Sequence, residues 1–438
     1  MKRLIVITLL TVVAATTFAQ TLKRERLDSL LNLLQEKDKF MGSIAVAQNG
    51  NILYTRAIGY SDVATAHKAD PKTKYHIGSI TKMFTATLIM KAVEAKKLSL
   101  DQTLDKYYPQ VENAKKITIR QMLTHRSGIH NVTNDSVYLS YYTQPKSEKE
   151  LMGIIASGKS DFEPDTKAGY SNSNYIILTY ILEKIYQKPY ADILKEQILT
   201  PGALASTHYG GKINAQQNEA YSYLYKTTWA QDAETDPSIP LGAGAMVSTP
   251  SDLTSFITQL FAGKFVSPST LDTMKTLRDN FGIGMGRFPY ANSFAYGHTG
   301  GIDGFQSVLV YFPEEKLSVA ITANGLVYPY NNLLKCALSG FFNQPFEMPV
   351  FNAVAITSES LDQFVGSYAT TQIPIKIKIT KADNKLYGQA TGQQAFPLEA
   401  SSPTTFQYEP AGVVLEFNIE KKELLLKQGG QTFQFTKE

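Results

Sequence analysis

A chain of 438 residues exceeds one average domain and leaves room for two or three. Hydrophobic residues make up 43% and charged residues 19%, ordinary globular proportions that exclude collagen-like, disordered and disulfide-scaffold classes. The formal charge of +4 becomes +2 without residues 1–19, which hold Lys2, Arg3 and no acid, and so near-neutral a chain offers no clustered basic face for nucleic acid.

The N-terminus, MKRLIVITLLTVVAATTFAQ, joins two cations to an apolar run and a small-residue ending. It reads as a secretory signal peptide over residues 1–19, cleaved near Ala19. The run Leu4 to Ala15 is too short for a bilayer core of about 30 Å. No stable membrane insertion is expected, and the mature protein should be secreted into the periplasm. The single cysteine, Cys336, has apolar neighbours and reads as a buried structural thiol.

Leu27, Leu30, Leu31 and Leu34 recur at helical spacing, which predicts an amphipathic helix over 26–38. SIAVA (Ser43 to Ala47) and ILYTRAIGY (Ile52 to Tyr60) read as a hairpin turning at Asn49-Gly50. Helical patterns follow over Lys82 to Leu98, Thr118 to His125, Glu148 to Ser157 and Asn174 to Tyr186, and then SVLVYF and LSVAITA flank the turn PEEK as a second hairpin. Hairpins at both ends with helices between predict an α+β fold: one antiparallel sheet flanked by helices, plus a mainly helical subdomain. This unit is expected over 20–345. Prolines in FFNQPFEMPVFN interrupt the pattern, and alternating runs such as IPIKIKI, VVLEFNI and QTFQF predict a small all-β domain, sandwich or barrel, over 355–438.

GIIASGKS, Gly153 to Ser160, matches the phosphate-loop pattern G-x-x-x-x-G-K-[ST] letter for letter. That loop works only between a strand and a helix N-terminus, where free N–H groups meet phosphate. Here Ser147 and the spacing of Leu151, Ile154 and Ile155 put Gly153 inside a helix, with Gly158 as its C-terminal cap and Pro164 blocking a following helix. No nucleotide partner is expected.

Three strings carry chemistry. Ser79 lies three residues before Lys82 at the start of an amphipathic helix, a spacing that puts both side chains on one face. A serine hydroxyl needs a neighbouring proton acceptor to become a nucleophile, and a partly desolvated lysine can serve. Tyr170-Ser171-Asn172 precedes an apolar helix; Tyr-x-Asn recurs at Tyr290 and Tyr330, so position rather than the tripeptide singles it out. His298-Thr299-Gly300-Gly301 stands ahead of a strand, where glycines would let a substrate lie along the edge.

These elements, in this order, resemble the serine β-lactamase and penicillin-binding protein superfamily, particularly its class C β-lactamase, DD-peptidase and esterase branch, over residues 25 to 340. MLTHRSGI, FEPDTKAGYSNSNY and LGAGAMVSTPSDLTSF look like that branch too, and the C-terminal part is similar to lipocalin-like β-barrels. The resemblance implies an acylated nucleophile at Ser79, with Lys82 as proton acceptor or electrostatic partner. Tyr170 would pass a proton to the leaving group, its phenol pKa lowered by Lys82. Which of Lys82 and Tyr170 is the base stays open. Asn172, His298, Thr299 and Gly300 would bind substrate, and the N–H groups of Ser79 and Gly301 would form the oxyanion hole. No metal or organic cofactor is implied.

One departure matters. Many β-lactamases of this superfamily carry lysine where this chain has His298, which is mostly neutral at pH 7. This favours a D-amino-acid peptidase, carboxypeptidase-like or esterase activity over a class C-type β-lactamase or a non-hydrolytic penicillin-binding protein. The substrate would be a small molecule or peptide: a D-amino-acid peptide, a β-lactam or an ester. His125 is expected to cap and brace a helix end.

Overall fold

Asn49 and Gly50 take φ of +52° and +81°, the tight turn that an Asn-Gly pair accepts with little strain. They join β1 (Phe40–Gln48) to β2 (Asn51–Ile58). In the computed structural model, which describes residues 22–225, 228–351, 356–382, 384–408, 411–428 and 431–438, four downstream strands complete this sheet. They are β3 (Gly286–Tyr290), β4 (Ser293–Ile302), β5 (Phe305–Phe312) and β6 (Leu317–Leu326). The antiparallel order is β3-β4-β5-β6-β1-β2. Ile44 of β1 stands opposite Ile321 of β6, and Val46 opposite Val319. N- and C-terminal strands therefore share one sheet, as the two hairpins predict. The expected signal peptide lies outside the described residues.

The helices that bear on the core and the site include α1 (Arg24–Glu36), α2 (Thr81–Glu94), α3 (Ile119–Leu123), α4 (Glu148–Ser157), α5 (Asn172–Tyr186), α6 (Pro250–Phe261) and α7 (Tyr330–Phe341). The four leucines of α1 pack with Leu333, Ala337 and Phe341 of α7 against Val308, Val310 and Phe312 of β5. The alternate residues Leu309 and Tyr311 enter the opposite core, with α2, α5 and α6. Both faces are covered, so β5 reads as an unbroken apolar run rather than an alternation. Eleven of the fourteen residues of α2 are buried, which corrects its reading as a one-faced helix: it is the central core helix.

The phosphate-loop string lies in α4 and beyond its end. Ser147 and Glu150 form a capping box at the start of α4, and residues 141–147 before it are turn and coil. Gly153 lies mid-helix and exposed. Gly158 is the C-cap, in an extended conformation with φ −72° rather than a left-handed one.

Eight described strands, from Gly366–Ala369 to Gln431–Lys437, close into a barrel. Tyr368 opposite Lys437 joins the first strand to the last. Ile377 and Ile379 point inward while Lys376 and Lys378 face water. At its centre Phe364 meets Phe406 and Phe417, both at 4.9 Å between ring centroids. Among the described residues, no helix is long and apolar enough to cross a membrane.

Packing of the first unit runs past 345. Phe346 and Phe351 lie against its α1–α7 core, with Phe351 edge-on to Tyr328 at 5.8 Å, whereas Ile356 packs into the barrel. Lys39 meets the exposed Glu399 of the barrel at 3.4 Å, an ion pair of a kind worth about 0–1 kcal/mol. We propose that the boundary falls between Phe351 and Ile356. A chain ending at Phe351 should unfold in one cooperative thermal transition followed by circular dichroism; a broad, non-cooperative melt would show that the barrel completes the first core.

Candidate active site

The turn Gly78–Ile80 leads into α2 and carries Ser79, with Lys82 in the first helical turn. Gly78 has φ +49°, and a Cβ there would come within 2.7 Å of the Gly301 nitrogen. A Cβ on Gly300 would collide with the Ile77 carbonyl and with Ser307 Oγ. Ser307 donates to that same Ile77 carbonyl at 2.8 Å. Glycine on both sides is what lets the serine turn approach β4 so closely. Strand β3 covers β4 only as far as Gly297. His298, Thr299, Gly300 and Gly301 therefore extend beyond β3 and meet the serine turn. They belong to β4 itself, where the sequence suggested a segment ahead of a strand.

Lys82 is fully buried. Its Nζ lies 2.9 Å from Ser79 Oγ, 2.7 Å from Asn172 Oδ1 and 2.7 Å from the Ala243 carbonyl. Burial holds this amine well below the ordinary lysine range. Tyr170 donates its hydroxyl to Ser79 Oγ at 2.8 Å, and Lys82 Nζ sits 5.0 Å from the Tyr170 ring centroid. Although the Tyr170 residue as a whole keeps 37% exposure, the protein packed about its phenol pushes it up to about 12, against the pull of the Ser79 hydrogen bond. The resemblance implied a phenol lowered by Lys82; desolvation wins instead, and the hydroxyl keeps its proton at neutral pH.

Buried His125, with φ +55°, stacks on the Tyr170 ring at 4.3 Å. Its Nδ1 accepts the Ser171 N–H at 3.2 Å, and its carbonyl accepts the Gly169 N–H at 2.8 Å. It braces the residues on both sides of Tyr170. His298 is half-buried, and its Nδ1 lies 2.5 Å from the Thr299 carbonyl oxygen. Burial, then the charge of Lys82, lowers the imidazole to about 4, so it is neutral at pH 7.

Beside these groups lies a cleft of about 230 Å³, walled by Tyr170, Tyr175, Phe281, Met285, Phe288 and His298. Among the described residues, none of those lining it is Lys, Arg, Asp or Glu. Asn131, Thr133 and the Ala243 carbonyl also reach the site, and sequence reasoning missed all three. Ala243 falls in the noted stretch LGAGAMVSTP, but a backbone carbonyl carries no residue signature. Thr133 gives no signal of its own, because its partner Asn172 is remote in sequence.

Residues 30–333 match the family model described as Beta-lactamase. The chain is 27% identical to penicillin-binding protein 4* of Bacillus subtilis, covering 93% of this chain and 97% of that protein. It is 26% identical to the teichoic acid D-alanine hydrolase of Staphylococcus aureus, over 72% and 78% respectively. Among solved structures, a D-stereospecific amidohydrolase from Streptomyces aligns at 25% identity and TM-score 0.64, covering 72% of this chain and 98% of that one. The fold of the octameric penicillin-binding protein homologue from Pyrococcus abyssi aligns over 94% of this chain and 100% of its own, with 22% identity and TM-score 0.68. A family match over more than half its length, on a fold of this kind, means that the chain belongs to the beta-lactamase family of serine hydrolases.

Proposed function

We propose that the protein is an exported serine acyl-hydrolase that forms an acyl-enzyme on Ser79 and cleaves peptides, amides or esters of D-amino acids. The observation that carries this reading is the placement of Ser79 Oγ between Lys82 Nζ at 2.9 Å and Tyr170 Oη at 2.8 Å. As a neutral amine, Lys82 has two N–H groups, and Asn172 Oδ1 and the Ala243 carbonyl accept both. Its lone pair then faces Ser79 and takes the hydroxyl proton as Oγ attacks the substrate carbonyl carbon. The backbone N–H groups of Ser79 and Gly301 receive the developing oxyanion, where losing one donor typically costs ~3 kcal/mol. Tyr170 gives its proton to the leaving nitrogen or oxygen as that bond breaks, and recovers one from the Lys82 ammonium. Water, deprotonated by the same groups, then releases the acyl group.

The substrate class rests on the cleft. Its walls are aromatic and uncharged, and neutral His298 supplies no cation for a carboxylate, which argues against efficient β-lactam turnover. The D-configured substrates named for the S. aureus and Streptomyces relatives agree with this reading. Export rests on residues 1–19. Likeness to a penicillin-binding protein favours a second reading, a protein trapped as its acyl-enzyme.

A fluorophosphonate probe followed by intact-mass measurement should add one adduct to the wild type and none to Ser79→Ala; equal labelling of the two would remove Ser79 from the chemistry. The acylation rate should rise with pH through the lowered Lys82 value and level off below the ordinary lysine pKa of about 10.4. A midpoint at that ordinary value would show that burial does not lower Lys82. In a turnover panel, D-alanine amides and esters should exceed a chromogenic cephalosporin, and His298→Lys should narrow the gap. An unchanged ratio in that variant would show that His298 does not set the preference, and labelling without turnover of any substrate would favour the trapped acyl-enzyme.

A further inference from the structure

Residues 130–133 are stitched to the start of α5. Ser173 Oγ donates to the His130 carbonyl at 2.7 Å and accepts the Val132 N–H at 3.2 Å. Asn131 Oδ1 accepts the Asn172 N–H at 3.0 Å, acting as a cap for a helix whose own N-cap, Ser171, supplies no side-chain bond. Thr133 Oγ1 lies between Asn131 Oδ1 and Asn172 Nδ2, 3.0 Å from each.

The direction of every hydrogen bond in this chain follows from one fixed donor. The Asn172 backbone N–H can only donate, so the Asn131 atom that it meets is the amide oxygen. That oxygen can only accept, so Thr133 gives it its single proton. Toward Asn172, the threonine is then an acceptor, and the atom facing it must be Nδ2. Asn172 Oδ1 is left facing Lys82 Nζ at 2.7 Å. With the Ala243 carbonyl accepting a second N–H, the remaining site on the amine is the one toward Ser79.

We infer that Thr133 is a positioning residue: its hydroxyl, oriented by Asn131, holds the Asn172 amide with its oxygen toward Lys82 and thereby aims the lysine lone pair at Ser79. The inference rests on the acyl-enzyme reading above. Without the threonine acceptor, the Asn172 amide can turn over and donate Nδ2 to the lysine lone pair. That contact competes with Ser79 for the lone pair and favours the neutral amine.

The test is the rate of fluorophosphonate labelling of full-length protein from about pH 5 to about pH 10, for wild type, Thr133→Val and Thr133→Ser. Thr133→Val should lower the plateau rate about tenfold, the scale of one mis-set hydrogen bond, and move the acid limb to lower pH. Thr133→Ser, which keeps the hydroxyl, should retain the wild-type plateau and limb. The other titratable groups that bear on this site, Tyr170, Tyr175, His125 and His298, are unaltered in both variants. A slower Thr133→Val with an unmoved limb, or a Thr133→Ser as impaired as the valine, would reduce the residue to packing and overturn the inference. So would a valine variant with the wild-type profile. A wild type that takes no label overturns the acyl-enzyme reading and this inference with it; a labelled wild type with an unmoved valine limb overturns the inference alone.

Discussion

An amine with no exposed surface, Lys82, is the constraint around which the site is built. Moving an ammonium out of water is expensive, so burial shifts the group toward its neutral form. Three atoms lie within hydrogen-bond distance of it, from three separate segments: Ser79 in the preceding turn, Asn172 at the head of α5, and the Ala243 carbonyl. Each must be held at hydrogen-bond distance by packing that does not yield, and the burial of α2 on nearly every side supplies it. The central helix of the core thus also carries Lys82 of the candidate site in its first turn.

The second requirement is that a sheet strand reach the serine turn. Strand β4 comes from far downstream, and the antiparallel order brings it beside β5 and β6, which in turn pair with β1. Only backbone can approach backbone as closely as Gly78 and Gly300 do here. The short β3 matters as much: by ending its pairing at Gly297 it leaves the following residues of β4 to the site. Sheet closure and site assembly are therefore one event, and the mixing of N- and C-terminal strands is what allows it.

Much of this was legible in the sequence, and the failures have physical reasons. Period-2 and period-3.6 patterns located the hairpins and helices, and Asn49-Gly50 fixed a turn, because these signals are local. Ser79 and Lys82 were proposed from helical spacing together with the resemblance, and Tyr170 from its place before α5; the fold brings the three side chains together. His298 to Gly301 was set outside the strand because paired glycines weaken strand propensity; the strand persists because its neighbour and the serine turn demand close approach. The one-faced reading of α2 failed because tertiary packing covers the remaining face. Asn131 and Thr133 escaped notice because hydrogen-bond direction depends on partners some forty residues away in the chain. The phosphate-loop string shows the converse: a pattern can be complete while its surroundings, here an exposed mid-helix glycine and an extended cap, deny it the geometry.

The two groups touching Ser79 Oγ illustrate how environment can separate like tasks. Burial disfavours charge on both, yet it drives their proton affinities in opposite directions, because lysine is charged when protonated and tyrosine when deprotonated. Lys82 is pushed down and Tyr170 up to about 12. Both groups lie within hydrogen-bond distance of one hydroxyl, the phenol held toward its protonated form and the amine toward its neutral one. In the proposed mechanism, an acceptor for the serine proton and a donor for the leaving group are thereby present before substrate arrives. On the proposed reading, this choice of base over acid needs no further ionised neighbour: the depth of the site makes it, and the uncharged His298 and aromatic cleft keep that depth intact.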